Sequence, residues 1–200
     1  MSVFLQILSI GISYLVGAVP FGLIFARIFS GIDVRDVGSG NIGATNVLRA
    51  SGKKAAALTL LADAMKGFLP VFAVHLLFHD DVTTVLCGVA AVLGHNFPVY
   101  LKFKGGKGVA TSYGVVLAVA PWIGLFTLLV WVLSAVIWRY SSLSALISFA
   151  CYPLMTFMFP PSERSYAALS LFVFGMIYFR HRENIKRLLI GTEPKIGEKR

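Results

Sequence analysis

Charge is scarce in this chain, and negative charge scarcest of all. Only 14% of the 200 residues are charged, nine acidic against 18 basic, where a soluble domain carries about 25%. No Asp, Glu, Lys or Arg occurs in 1–26, 82–101, 108–138, 140–162 or 165–179. Runs of that kind exclude an ordinary soluble domain and read as membrane spans, each needing ~20 apolar residues. Cysteine is nearly absent: Cys87 and Cys151 both lie inside apolar runs, which excludes a disulfide framework or a cysteine metal site. The first run has no Lys or Arg ahead of it, so it lacks the basic start of a cleaved signal peptide and reads as a retained span. A net charge of +9 would suggest nucleic acid in a soluble protein. In a membrane protein it marks cytoplasmic loops beside anionic head groups or phosphate ligands, and no nucleic-acid partner is expected.

The fold class is therefore all-α, a polytopic membrane protein. Spans are expected at roughly 3–25, 55–77, 83–100, 143–159 and 165–180. The 31-residue run 108–138 is long for one helix, and Pro121 near its middle offers a break. Splitting there gives seven spans and puts 16 of the 18 basic residues on one side, with Arg164 opposite and Lys66 inside a span. Without the split the loops divide 9 to 8. Because basic loops stay in the cytoplasm, seven spans are expected, with the N-terminus outside and the C-terminus cytoplasmic. Residues 1–200 form a single integral-membrane domain, whose longest loop, about 26–54, is cytoplasmic.

Three dense polar segments fall on that cytoplasmic side. They are 38–49 (GSGNIGATNVLR), 94–98 with 102–111 (GHNFP, KFKGGKGVAT), and 180–187 (RHRENIKR). Glycine lets backbone N–H groups converge on an anion, and the glycines of 105–108 lead into a short helix whose N-terminus also favours one. Arg49, Lys104 and Lys107 add full positive charge. The pattern is that of a phosphate site at the membrane surface. Two apparent motifs fail. Gly38, Gly40 and Gly43 spell G-x-G-x-x-G with no preceding strand, and Gly108 stands where a P-loop needs Ser or Thr. His75 and Asp80 spell the H-x-x-x-x-D of thioester-dependent acyltransferases, but at the outer end of the second span. Asp63 and Lys66 sit three residues apart inside that span, as a functional pair or a structural ion pair. Ser141 and Ser142 make a fourth polar spot, beside Arg139 and Tyr140.

At these segments the chain resembles the acyl-phosphate:glycerol-3-phosphate acyltransferase family, the PlsY type, over essentially its whole length. Ser39-Gly40-Asn41 with Gly43-Ala44-Thr45-Asn46 and Arg49 is similar to the first motif. The stretch from Gly94 to Thr111 is similar to the second, and His181, Glu183 and Asn184 to the third. The resemblance implies transfer of an acyl group from acyl phosphate to the sn-1 hydroxyl of glycerol-3-phosphate at the cytoplasmic face of a bacterial inner membrane. Lysophosphatidic acid and phosphate would be the products, with no cofactor, metal, coenzyme A or carrier protein at the site. Ser39, Arg49, Lys104, His181 and Asn184 are the implied catalytic residues, acting on glycerol-3-phosphate. Gly40, Asn41, Gly43, Thr45, Asn46, His95, Asn96, Gly105, Gly106, Lys107, Gly108 and Ser142 are the implied substrate-binding residues. Either His95 or His181, or the donor phosphate itself, would take the hydroxyl proton. The alternative is a transporter of an organic phosphate with Asp63 and Lys66 on its path, which calls for polar residues on both faces of the bundle. A non-catalytic membrane scaffold leaves the three motifs unexplained.

Overall fold

The computed structural model describes residues 2–159 and 166–198. The expected outer loop at 160–164, and Lys199 and Arg200, lie outside the described residues. The described chain is helical, without strands, in nine α-helices: α1 (Val3–Gly17), α2 (Phe21–Ser30), α3 (Ala44–Phe78), α4 (Asp81–Asn96), α5 (Val109–Val119), α6 (Pro121–Trp138), α7 (Ser141–Met158), α8 (Ala167–Arg180) and α9 (Arg182–Leu189). Five helical stretches are long and apolar enough to cross a membrane, 3–30, 44–78, 81–101, 121–138 and 141–158, while α5 and α8 are shorter apolar helices.

The break at Pro121 is present: Ala120 leaves the helical region at φ −146°, ψ 72°, and Pro121 opens α6 as its first residue. Proline suits that position because the first helical N–H has no acceptor in any case. The first span differs from expectation. It is not one helix over 3–25 but α1 and α2, parted at Ala18-Val19-Pro20, because Pro20 has no N–H to continue the ladder. Nor is 26–54 an open loop, since α2 reaches Ser30 and α3 begins at Ala44. Inside α3 the chain turns at Gly52, whose φ of +83° disfavours any side chain. The segment beyond Gly52 is long enough, at ~1.5 Å per residue, to cross a hydrocarbon core of about 30 Å.

Helix α5 packs deep in the bundle, against α3, α4 and α6, with most of its residues buried. Gly67 on α3 and Gly114 on α5 allow this approach. A Cβ on Gly67 would collide with the Thr111 carbonyl, and one on Gly114 with the Ala64 carbonyl. Small residues at such contacts bring backbones close where lipid supplies no hydrophobic drive. The main core joins Val71, Val92, Val115, Phe149, Leu169 and Val173, and a smaller one joins Leu23, Val34, Val47 and Ala55. Large apolar side chains such as Phe4, Leu77, Trp122, Val136 and Leu154 stay exposed on the outer helix faces, as a lipid-facing surface requires.

Candidate active site

The three polar segments meet at one cavity of about 670 Å³. Its wall takes Ser39, Asn41, Gly43, Thr45, Asn46 and Arg49 from the first segment, His95, Lys107 and Gly108 from the second, and Arg180, His181, Asn184 and Arg187 from the third. Ser141 and Ser142 join them, as does Glu193. The starts of α3, α5, α7 and α9 all border this space, and helix N-termini favour anions. Away from the charged residues, the wall is Ala56, Ala57, Leu60, Val109 and Trp131.

Much of the first segment is occupied in holding itself. Asn46 Nδ2 lies within 2.9–3.0 Å of the carbonyls of Val34, Val37 and Asn41, and its Oδ1 accepts from Ser39 N–H. Asn41 Oδ1 accepts from Gly43 N–H at 2.8 Å, and Gly40 N–H donates to the Val37 carbonyl. Thr45 Oγ1 and Ser141 Oγ, 3.2 Å apart, tie the start of α3 to that of α7. In the second segment, Gly106 N–H donates to the His95 carbonyl at 3.1 Å. A Cβ on Gly105 or Gly106 would strike His95, and Gly108 at φ +81° lies against the Asn96 side chain. These glycines let the loop lie flat on the end of α4. Gly40, Asn96, Lys104, Gly105 and Gly106 are outside the cavity wall. Lys104 is exposed, and the buried Asn96 side chain has no hydrogen-bond partner among the described residues.

Glu193, which sequence reasoning missed, links the third segment to α7. Its carboxylate accepts from Ser142 Oγ and Asn184 Nδ2, both at 2.6 Å, and from Arg187 Nε at 2.7 Å. Lys107 Nζ donates to Asn184 Oδ1. Gly191 at φ +72° turns the chain back after α9, and nothing in the local pattern around Glu193 marks it as facing inward. Burial alone would raise the Glu193 carboxyl, yet hydrogen bonds from Ser142, Asn184 and Arg187 hold it below its ordinary range. Burial pushes the Lys107 ammonium down to about 8; Glu193 opposes this, and Arg187, Arg180 and Arg49 add to it. Burial, helped by Lys107, likewise lowers His181 to about 4. Its Nδ1 meets the Ile177 carbonyl at 2.8 Å. A carbonyl only accepts, so Nδ1 carries the proton and Nε2 keeps its lone pair.

At the floor, Asp63 Oδ1 is 2.6 Å from Lys66 Nζ and 3.8 Å from His95 Nδ1. Lys66 Nζ also donates to the Val19 carbonyl at 2.8 Å, at the break between α1 and α2. The pair is thus structural at Lys66, where it secures a backbone oxygen beside Pro20, while Asp63 borders the cavity. Of the acidic wall residues, Asp63 pairs with Lys66, Glu183 with Lys186 and Glu193 with Arg187. Arg49, Lys107 and Arg180 have no carboxylate partner among the described residues, so the cavity keeps an excess of positive charge. Among the described residues, no three His, Cys, Asp or Glu side chains converge to hold a metal.

The described helices thus form an apolar bundle with one cavity, lined by unpaired cations on one part of its wall and by apolar side chains on another. The chain belongs to the glycerol-3-phosphate acyltransferase family, whose model matches residues 7–191. It is 50% identical over 188 residues to a glycerol-3-phosphate acyltransferase of Dinoroseobacter shibae, covering 94% of this chain and 91% of that one. A glycerol-3-phosphate acyltransferase of Caulobacter vibrioides is 47% identical over 198 residues, covering 96% and 90%. The crystal structure of PlsY (YgiH), an integral membrane glycerol 3-phosphate acyltransferase, in its glycerol 3-phosphate form aligns with a TM-score of 0.90 at 41% identity, covering 96% of each chain. Its lysophosphatidic acid form aligns at 0.89 and 40% identity, covering 96% of this chain and 95% of that one. The chain is accordingly an integral membrane protein of phospholipid synthesis.

Proposed function

We propose that the protein transfers a fatty acyl group from acyl phosphate to the sn-1 hydroxyl of glycerol-3-phosphate. The observation that carries this reading is the composition of one cavity, with unneutralised Arg49, Lys107 and Arg180 beside an apolar recess of Ala56, Ala57, Leu60 and Trp131. Two phosphates need the first feature and an acyl chain needs the second. The interior beyond Asp63 is closed by packed Val71, Val115 and Phe149, and buried hydroxyls there bond to one another, as Tyr113 Oη does to Ser148 Oγ at 2.7 Å. That supports chemistry at one end of the bundle over passage through it.

The glycerol hydroxyl oxygen attacks the acyl carbonyl carbon, the bond from that carbon to the phosphate oxygen breaks, and phosphate leaves. An acyl phosphate is a mixed anhydride with a good leaving group, so no covalent enzyme intermediate is needed. The site has to align the two reactants and stabilise the charge that develops. The hydroxyl proton goes to a phosphoryl oxygen of the donor, which yields hydrogen phosphate and balances the reaction. Arg49, Lys107 and the starts of α3 and α5 hold phosphate oxygens, while Ser39, His181 and Asn184 hold and orient glycerol-3-phosphate. Neutral His181, with an Nε2 lone pair, is fitted to accept a hydrogen bond from a hydroxyl.

We read the chain as seven spans, with this site on the cytoplasmic face of the inner membrane and the N-terminus outside. The 16-to-1 basic asymmetry of the loops supports this orientation. Single cysteines at Ser51→Cys and Glu198→Cys should resist an impermeant thiol reagent in intact cells, and Ser162→Cys should react. Labelling of either of the first two from outside would reverse the orientation. For the reaction, purified protein should release one phosphate per lysophosphatidic acid formed from acyl phosphate and glycerol-3-phosphate. Comparable turnover with an acyl thioester free of acyl phosphate would overturn the donor, and uptake of glycerol-3-phosphate into vesicles without product would favour the transporter.

A further inference from the structure

Arg180 closes α8, and its guanidinium does not pair with any carboxylate among the described residues. Instead its Nε donates to the Gly106 carbonyl at 2.9 Å and its Nη2 to the Gly105 carbonyl at 2.8 Å. The same group stacks over the Phe97 ring, 5.3 Å from its centroid. A planar fork across two successive carbonyls, backed by an aromatic face, uses geometry that lysine cannot reproduce. The described peptide bonds are all trans, so each carbonyl shares a plane with the next residue's N–H on the opposite edge. Fixing the Gly105 carbonyl fixes Gly106 N–H, which donates to His95 O. Fixing the Gly106 carbonyl fixes the plane that carries the Lys107 N–H.

We propose that Arg180 is a positioning residue. By clamping the carbonyl edge of 105–106 from the end of α8, it sets the loop that carries Lys107 and Gly108 into the cavity wall, ready for a substrate phosphate. The proposal rests on the acyltransferase reading for what the loop binds. The clamp itself is a matter of geometry. Glycines at 105, 106 and 108 fit the loop against His95 and Asn96 but leave its backbone free to turn. An external clamp removes that freedom. It also sets one cation beside Lys107, whose other charged or titratable neighbours are Arg49 on α3, Arg187 on α9, Glu193 and His181.

The test uses the full chain in lipid or detergent, comparing wild type with Arg180→Gln and Arg180→Lys. Both variants should raise KM for a phosphate substrate by roughly ten- to a hundredfold, as expected for loss of positioning, with a smaller change in kcat. Amide hydrogen exchange over 105–108 should accelerate at least about tenfold while exchange in α4 and α5 holds. The pH profile separates fork from charge. In Arg180→Gln the alkaline limb set by Lys107 moves up, because a neighbouring cation is gone. In Arg180→Lys the limb stays, while the KM and exchange defects remain. If Arg180→Gln does not fold, Arg180→Lys decides alone. Wild-type KM and wild-type loop exchange in a folded variant would overturn the proposal. Absence of turnover in the wild-type protein would overturn the acyltransferase reading instead, and the exchange experiment would still decide the clamp.

Discussion

Replacing Lys107 with Gln should lower kcat/KM by roughly ten- to a hundredfold. The ammonium is largely shielded, lines the cavity and donates to Asn184 Oδ1, with no carboxylate of its own among the described residues. Losing a hydrogen bond from a charged group costs roughly 1.5–3 kcal/mol, and about 1.4 kcal/mol is a factor of ten in rate. Gln keeps a donor and most of the length but not the charge, so the loss reports electrostatics rather than a hole in the wall. A second signature follows from protonation. Burial holds this amine at about 8, so it is cationic below that pH and neutral above it. If this ammonium meets substrate phosphate as proposed, wild-type kcat/KM should fall as pH rises through that value. In Lys107→Gln the activity is lower throughout and that limb is missing. The assay is phosphate release from acyl phosphate and glycerol-3-phosphate across about pH 6 to 10. A folded variant with wild-type kcat/KM, or with the limb still in place, would show that the ammonium never meets the phosphate.

Arg49→Ala should lower kcat/KM at least about tenfold by the same reasoning, whereas Lys104→Ala, at an exposed position off the cavity wall, should change it little; steady-state kinetics of the two variants provide the check. Because His181 is held near 4, it is neutral from about pH 5 upward, and any limb near pH 6, where substrate phosphate itself titrates, should be unchanged in His181→Ala. His181→Ala and His95→Ala should each keep measurable turnover with losses mainly in KM, and a drop of about a hundredfold in kcat for one of them would name a dedicated base. Asp63→Asn leaves the Lys66 ammonium buried without its partner and should cost roughly 3–5 kcal/mol. Thermal unfolding in detergent should show a large fall for that variant and a smaller one for Asp63→Asn combined with Lys66→Met.

The apolar helices were legible because lipid imposes a simple rule: long runs with few charges. Pro121 was legible for the same reason, since it divides a run too long for one helix, and α5 ends beside it. Pro20 offered the same kind of signal within the first run, yet that run has the length of one ordinary span, so nothing in its length calls for a break. The segments of the site could be read as clusters of Gly, Asn, Arg and His, but the division of labour inside them could not. Asn46 looks like a ligand and is spent on three backbone carbonyls. Lys104 and Lys107 look equivalent three residues apart, and only the turn through 105–106 puts Lys107 on the wall and leaves Lys104 outside. Glu193 was invisible because its partners, Ser142 and Asn184, come from helices that only tertiary packing brings together.

The carboxylate of Glu193 means that the cavity wall itself carries an anion, tethered to the protein between Gly191 and Pro194. Repulsion among Arg49, Lys107 and Arg187 is partly cancelled by this resident counter-ion, so the cations can stand together before any substrate arrives. Any anion that reaches Ser142, Asn184 or Arg187 has to displace this carboxylate, and so enters by ion exchange. The energy of its arrival is the difference between two anions at those donors rather than the whole attraction of a bare positive pocket. The exchange runs in both directions. When a bound anion departs, the tethered carboxylate competes for the same donors at a local concentration that does not depend on the medium. A pocket of the same cations without that tether would hold an anion more tightly.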